Sequence, residues 1–125
     1  MSQKGCTQFT VVFTVAPEHV AEGDRIFQSH ASWMARTHHR DGEKRLLRYN
    51  LSKAPQMVNP MDPGQGTTAN TCYVLSEVYA TPAGLQDHWQ QAQSNWQDFG
   101  ALNDWLGKVD SLMVNGSTIV HSLWE

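Results

Sequence analysis

Cysteine is scarce in this sequence. There are two, Cys6 in a polar N-terminal stretch and Cys72 at the head of an apolar run. That excludes a disulfide scaffold and the cysteine-rich zinc folds, and both read as free thiols of a reducing compartment. Cys72 also lacks the context of a catalytic nucleophile. No apolar run approaches the ~20 residues of a membrane-spanning helix, and the opening MSQKGCTQ has no apolar centre of a secretion signal. The expected location is cytoplasmic, with no membrane partner. Charge is thin, with 9 Lys and Arg against 12 Asp and Glu for a net charge of −3. Such a balance argues against a nucleic-acid partner. A glycine-rich phosphate loop, a dinucleotide fingerprint and a short internal repeat are all missing.

What is present is a heavy aromatic load. Five Trp in 125 residues suit core filling, an interface or a flat ligand surface. The length fits one domain over residues 8–125, preceded by a frayed tail at 1–7. QFTVVFTVA, Gln8 to Ala16, reads as a strand that is apolar on both faces. Pro17-Glu18 opens a helix carrying Val20, Phe27, Ala31, Met34 and His38 on one stripe, with His30 beside it; Asp41-Gly42 ends it. Lys44 to Ser52 reads as a second strand, with Leu47, Tyr49 and Leu51 on one face. Residues 53–70 hold Pro55, Pro60, Pro63, Gly64 and Gly66 and read as a long loop, either a solvated connection or an arm or lid. Thr71 to Ala80 is a third strand, and a helix runs from Pro82 to about residue 93. Trp96 to Leu106 continues it as one kinked helix or two, with Gly100 and Gly107 opposing a single rod. Val109 to Val114 is a fourth strand, and Asn115-Gly116 signals a tight hairpin into a return strand over 117–124.

The order is β-α-β-β-α-β, an α+β chain of the ferredoxin-like split βαβ arrangement. Its helices cover one face of the sheet. Strands apolar on both faces need a cover on the other, and a second copy related by two-fold symmetry supplies one. The expected assembly is therefore a homodimer; a half-polar, wet open face is the competing reading.

Chemistry-bearing residues cluster around YVLSEVYATPAGLQDH, Tyr73 to His88. Glu77 lies on its strand and His88 on the apolar stripe of its helix. His30 lies near the corresponding stripe of the first helix, and with both helices packed on one sheet face the two imidazoles converge on one pocket. Histidine transfers protons near neutral pH, which makes His88 and His30 the candidate catalytic pair. Trp33, Trp89 and Tyr49 are candidate flat walls, and Arg48 or Arg36 a candidate anion holder. The plainer readings are a hydrogen-bonded core histidine, with Glu77 anchoring His88 or pairing with Arg48, and tryptophans filling core and interface. His38 and His39 with His30 make no plausible zinc set, because adjacent histidines on a helix point apart. No metal site is expected.

The run Leu75, Glu77, Tyr79, Gly84-Leu85 and His88, preceded by Tyr49, Leu51 and Ser52, resembles the antibiotic biosynthesis monooxygenase (ABM) domain of the dimeric α+β barrel superfamily. The resemblance covers roughly residues 8–107 with 53–70 as an insertion. It implies a dimeric barrel, and an oxidoreductase acting without a cofactor as a monooxygenase on a small aromatic or polyketide-like molecule. The other role it implies is a non-catalytic, stress-response or ligand-binding protein for a small hydrophobic molecule. Its haem-degrading branch carries Trp where this chain has His88, and its iron-ligating His where this chain has Asp98, so haem is disfavoured.

Overall fold

The computed structural model describes residues 2–124. Its elements are β1 (Thr7–Val15), α1 (Val20–Thr37), β2 (Leu46–Met57), β3 (Thr67–Tyr79), α2 (Pro82–Asn95), α3 (Phe99–Leu106) and β4 (Asp110–Thr118). A single turn of 3-10 helix at Pro17–His19 leads into α1. The four strands form one antiparallel sheet in the order β2-β3-β1-β4. This is an α+β architecture compatible with the ferredoxin-like arrangement.

Strand alternation decides which residues meet the helices. In β1 the odd positions, Thr7 through Phe9, Val11, Phe13 and Val15, are buried and the even ones half-buried. Antiparallel partners share a face, so Glu77 of β3 lies beside Phe9 of β1 and Tyr49 of β2 on the inner face. Tyr79 follows two residues on, on that same face. The helices close over this face with Gly23, Ile26, Phe27, His30, Trp33 and Met34 of α1, and with Gly84, Leu85, His88 and Ala92 of α2. Both sets recur every three or four residues, which is one side of a helix.

The outer face is mixed rather than apolar throughout. One row runs Ser52, Val74, Val12, Leu112 and the next Asn50, Ser76, Thr10, Val114. Apolar residues form a stripe on it; Leu112 is 70% exposed and Val114 49%.

Several local expectations are corrected. The stretch 53–70 is not a loop. β2 and β3 run on as a hairpin, pairing Pro55 with Thr71 and Met57 with Thr67. The β1 pairing stops at Val15 and Thr71, so the far end of that hairpin is a two-stranded arm. Its three prolines mislead because Pro55 lies on an edge strand and Pro60 and Pro63 lie in the turn. Asn115-Gly116 makes no hairpin. β4 passes straight through it on a bulge: Phe9 pairs with Asn115 and Gln8 with Ser117, while Gly116 takes the left-handed φ of +102°. Residues 119–124 form no return strand. A second irregularity between Leu46 and Arg48 puts Leu46, not Leu47, on the inner face beside Tyr79. α1 stops at Thr37, before Asp41-Gly42, and His38 turns to extended backbone at φ −85°, ψ 147°. The segment after α2 is a separate helix, α3.

Candidate functional site

Three elements deliver the site. α1 carries His30 and α2 carries His88, each in its buried stripe, and β3 carries Glu77 between them from the sheet. His30 and His88 are 4% and 2% exposed, and Glu77 is fully buried. The two imidazole rings meet edge to face with centroids 5.7 Å apart. Both border a cavity of about 250 Å³ between the sheet and the α2–α3 pair. Its other walls are apolar, among them Phe9, Phe13, Leu75, Trp96, Phe99 and Leu106. Exposed Asn103 and the partly exposed Met113 stand at its rim. A predominantly apolar concavity with a few convergent polar groups is the usual form of a small-molecule site.

The hydrogen bonds fix the protonation pattern. The Thr37 hydroxyl donates to the Trp33 carbonyl oxygen at 2.8 Å, so its oxygen accepts from His38 Nδ1 at 3.0 Å. His38 Nε2 is then the acceptor in its 2.8 Å contact with His88 Nδ1. His88 therefore carries its proton on Nδ1 and leaves a lone pair on Nε2. His30 Nδ1 meets the Tyr49 hydroxyl at 3.0 Å. Glu77 Oε1 accepts from the Tyr79 hydroxyl at 2.5 Å, while Glu77 Oε2 has no hydrogen-bond partner among the described residues.

Burial dominates the electrostatics. Desolvation holds His30 and His88 far below the ordinary imidazole range, with a further lowering from the neighbouring histidines. His38 is lowered to about 4, again mainly by burial. Desolvation raises Glu77 to about 7, against the lowering effect of the Tyr79 hydrogen bond. His30 Nε2 and His88 Nδ1 stand 4.0 and 3.8 Å from the Glu77 oxygens. These separations exceed hydrogen-bond length and both rings are neutral, so neither contact is an ion pair.

The other residues expected at a site are dispersed. Trp89 borders the cavity, edge-on to Phe9, with its Nε1 donating to Asn115 Oδ1 at 3.0 Å. Trp33 sits behind the imidazoles, stacked on Trp96 at 5.4 Å, and donates to Asn95 Oδ1 at 2.6 Å. Tyr49 touches His30 but faces a second pocket of about 270 Å³, shared with His38 and Arg40. Arg48 pairs in register with Val78 on the outer face, its guanidinium 3.2 Å from the Gln3 side-chain amide. It does not face the cavity and cannot pair with Glu77. Arg36 borders a surface depression beside Asp98. Sequence reasoning missed His38 and Tyr79 as partners of the site. The signal for Tyr79 was its position two residues from Glu77 on one strand; nothing in the local pattern announces the turn that swings His38 onto His88. No protein-family model, no curated protein and no solved structure matches this chain.

Proposed function

We propose that the chain is a small-molecule pocket protein of the ABM type, a two-fold dimer of ferredoxin-like subunits closing as an α+β barrel. Its ligand is a compact aromatic or polyketide-like molecule with an acidic hydroxyl. One observation carries this reading: two buried, neutral imidazoles open onto an otherwise apolar cavity of about 250 Å³. The size suits a ligand of one or two rings. Trp89 and Phe9 offer flat contact, and a ligand hydroxyl meets His88 and His30 at the polar end. His88 Nε2, free of its own proton, accepts the hydroxyl proton, and its Nδ1 bond to His38 holds the ring in place. The imidazolium so formed has the ligand anion on one side and the Glu77 carboxyl group on the other. An electron-rich anion shielded from water is what reacts directly with dioxygen in cofactor-free oxygenation. The outer apolar stripe of Val12, Val74, Leu112 and Val114 supports sheet-to-sheet pairing of two copies.

A second reading, a binding protein without turnover, is favoured by one observation. Burial holds His88 well below neutral pH, which weakens it as a base until an anion sits beside it. The experiment that separates the two is a thermal-shift screen of phenols, quinols and small fused-ring enols, followed by oxygen uptake with each hit. A ligand at a hundred times its Kd adds about 2.7 kcal/mol and raises Tm by several degrees. Uptake that falls by about 10²-fold or more in His88→Ala supports the oxygenase. Binding without uptake supports the binding protein. No shift with any member of these classes removes both.

A further inference from the structure

We propose that His30, Glu77 and His88 form a buried site for one divalent transition-metal ion behind the polar end of the cavity. One ligand atom from each residue lies within 4.8 Å of the other two, and all three residues are buried. They come from α1, β3 and α2, so the set exists only in the folded chain.

The unsatisfied oxygen is the most telling feature. Glu77 Oε2 is buried without a hydrogen bond, 4.0 Å from His30 Nε2. Buried polar atoms are nearly always paired, because desolvation otherwise goes uncompensated. Tyr79, the group that does bond Glu77, is neutral and occupies Oε1. A cation between Oε2 and the imidazoles supplies the missing partner.

The surrounding bonds have the form of a second coordination shell. Ligating histidines hold their other ring nitrogen in a hydrogen bond that fixes tautomer and orientation. Here Tyr49 engages His30 Nδ1 and Tyr79 engages Glu77 Oε1. His30 Nε2 and Glu77 Oε2 are the atoms left over, and the His88 atom that faces the carboxylate is Nδ1, 3.8 Å from Glu77 Oε1, which gives up its bond to His38 to take the ion. Neutral imidazoles bind a metal without first losing a proton. Ligand atoms ~2.1 Å from one ion lie roughly 3.0–3.4 Å apart, so the 4.0 Å pair must draw in by about 0.6–1 Å. Two imidazoles and one carboxylate suit zinc, cobalt or ferrous iron rather than calcium or magnesium, and leave coordination positions for water or a ligand atom.

This goes beyond the pocket reading. The apolar walls bind a ligand with or without an ion, whereas a metal would make the polar end a Lewis acid instead of a free base. The test uses the full-length chain, stripped with EDTA and titrated with Co²⁺. One ion per chain, with the strong visible bands of a four- or five-coordinate centre displaced by Zn²⁺, is the expected result. Glu77→Gln and His30→Asn should each weaken binding at least tenfold, and His39→Ala on the surface should not. A spectrum no different from aqueous Co²⁺, or equal affinity in Glu77→Gln and His30→Asn, overturns the proposal. Should those variants misfold, imidazole ¹⁵N shifts of the unmutated chain decide. Movement of the His30 Nε2 and His88 Nδ1 signals on adding Zn²⁺ sustains the site; unmoved signals sink it. Repeating the phenol thermal-shift screen in EDTA tells the two proposals apart, since pocket binding should persist there.

Discussion

At the scale of single residues, the histidine cluster makes stability depend on pH. His30, His38 and His88 titrate near 6.5 in an unfolded chain and well below that when folded. As pH falls from about 6.5 to about 4.5, the unfolded chain takes up protons at all three while the folded one does not, so stability falls. Glu77 works the other way: its pKa rises from 4.5 to about 7 on folding. The folded state keeps a proton there that the unfolded state releases, a contribution present at low pH and lost as pH rises through about 7. Three imidazoles outweigh one carboxyl. The urea midpoint of the metal-free chain should therefore drop between pH 6.5 and 4.5. Glu77→Gln removes the opposing effect and should steepen that drop. A flat midpoint would mean the imidazoles are not held neutral. The candidate pair was legible because His88 falls on an apolar helical stripe and His30 lies beside one, although only the fold buries His30. Their partners were less so, since the hydrogen bond that His88 donates to His38 spans fifty positions and depends on a backbone turn.

At the scale of elements, α1 and α3 pack through a glycine. A Cβ on Gly23 would lie 2.6 Å from Trp105 Cζ2. That indole is 1% exposed, tied through Nε1 to the His19 carbonyl and wedged edge-on against Phe13 and Phe27, so it has nowhere to go. Gly23→Ala should cost about 1–3 kcal/mol in chemical denaturation, despite the gain in helix propensity. Gly100 in α3 is the contrast. No atom lies within 4 Å of its Cβ position, and Gly100→Ala should stabilise by roughly 0.5–1 kcal/mol. β4 shows why an element can be misread locally. Asn-Gly offers the left-handed backbone that a tight turn needs, and a bulge needs the same conformation at Gly116. Only pairing with β1, nearly the whole chain away, selects the bulge.

At the scale of the whole molecule, the row Ser52, Val74, Val12, Leu112 is the centre of the proposed dimer face. Light scattering on the 14.1 kDa chain should give twice that mass at micromolar concentration, and Leu112→Glu should halve it. A wild-type monomer would remove the barrel and leave the cavity standing, since its walls all come from one subunit. The arm beyond Pro55 and Thr71 carries exposed Val58 and Met61 at its turn.

The residues alone determined the α+β class, the order of most elements, and the helical stripes that bear His88 and run beside His30, because periodicity and helix-start chemistry are local properties. Tertiary structure decided the rest. It set which strand face Arg48 takes, extended the β2–β3 hairpin through a proline-rich stretch, and brought a carboxylate with an unpaired oxygen up to two neutral imidazoles. Each of these depends on register and burial, quantities that do not exist until distant segments pair.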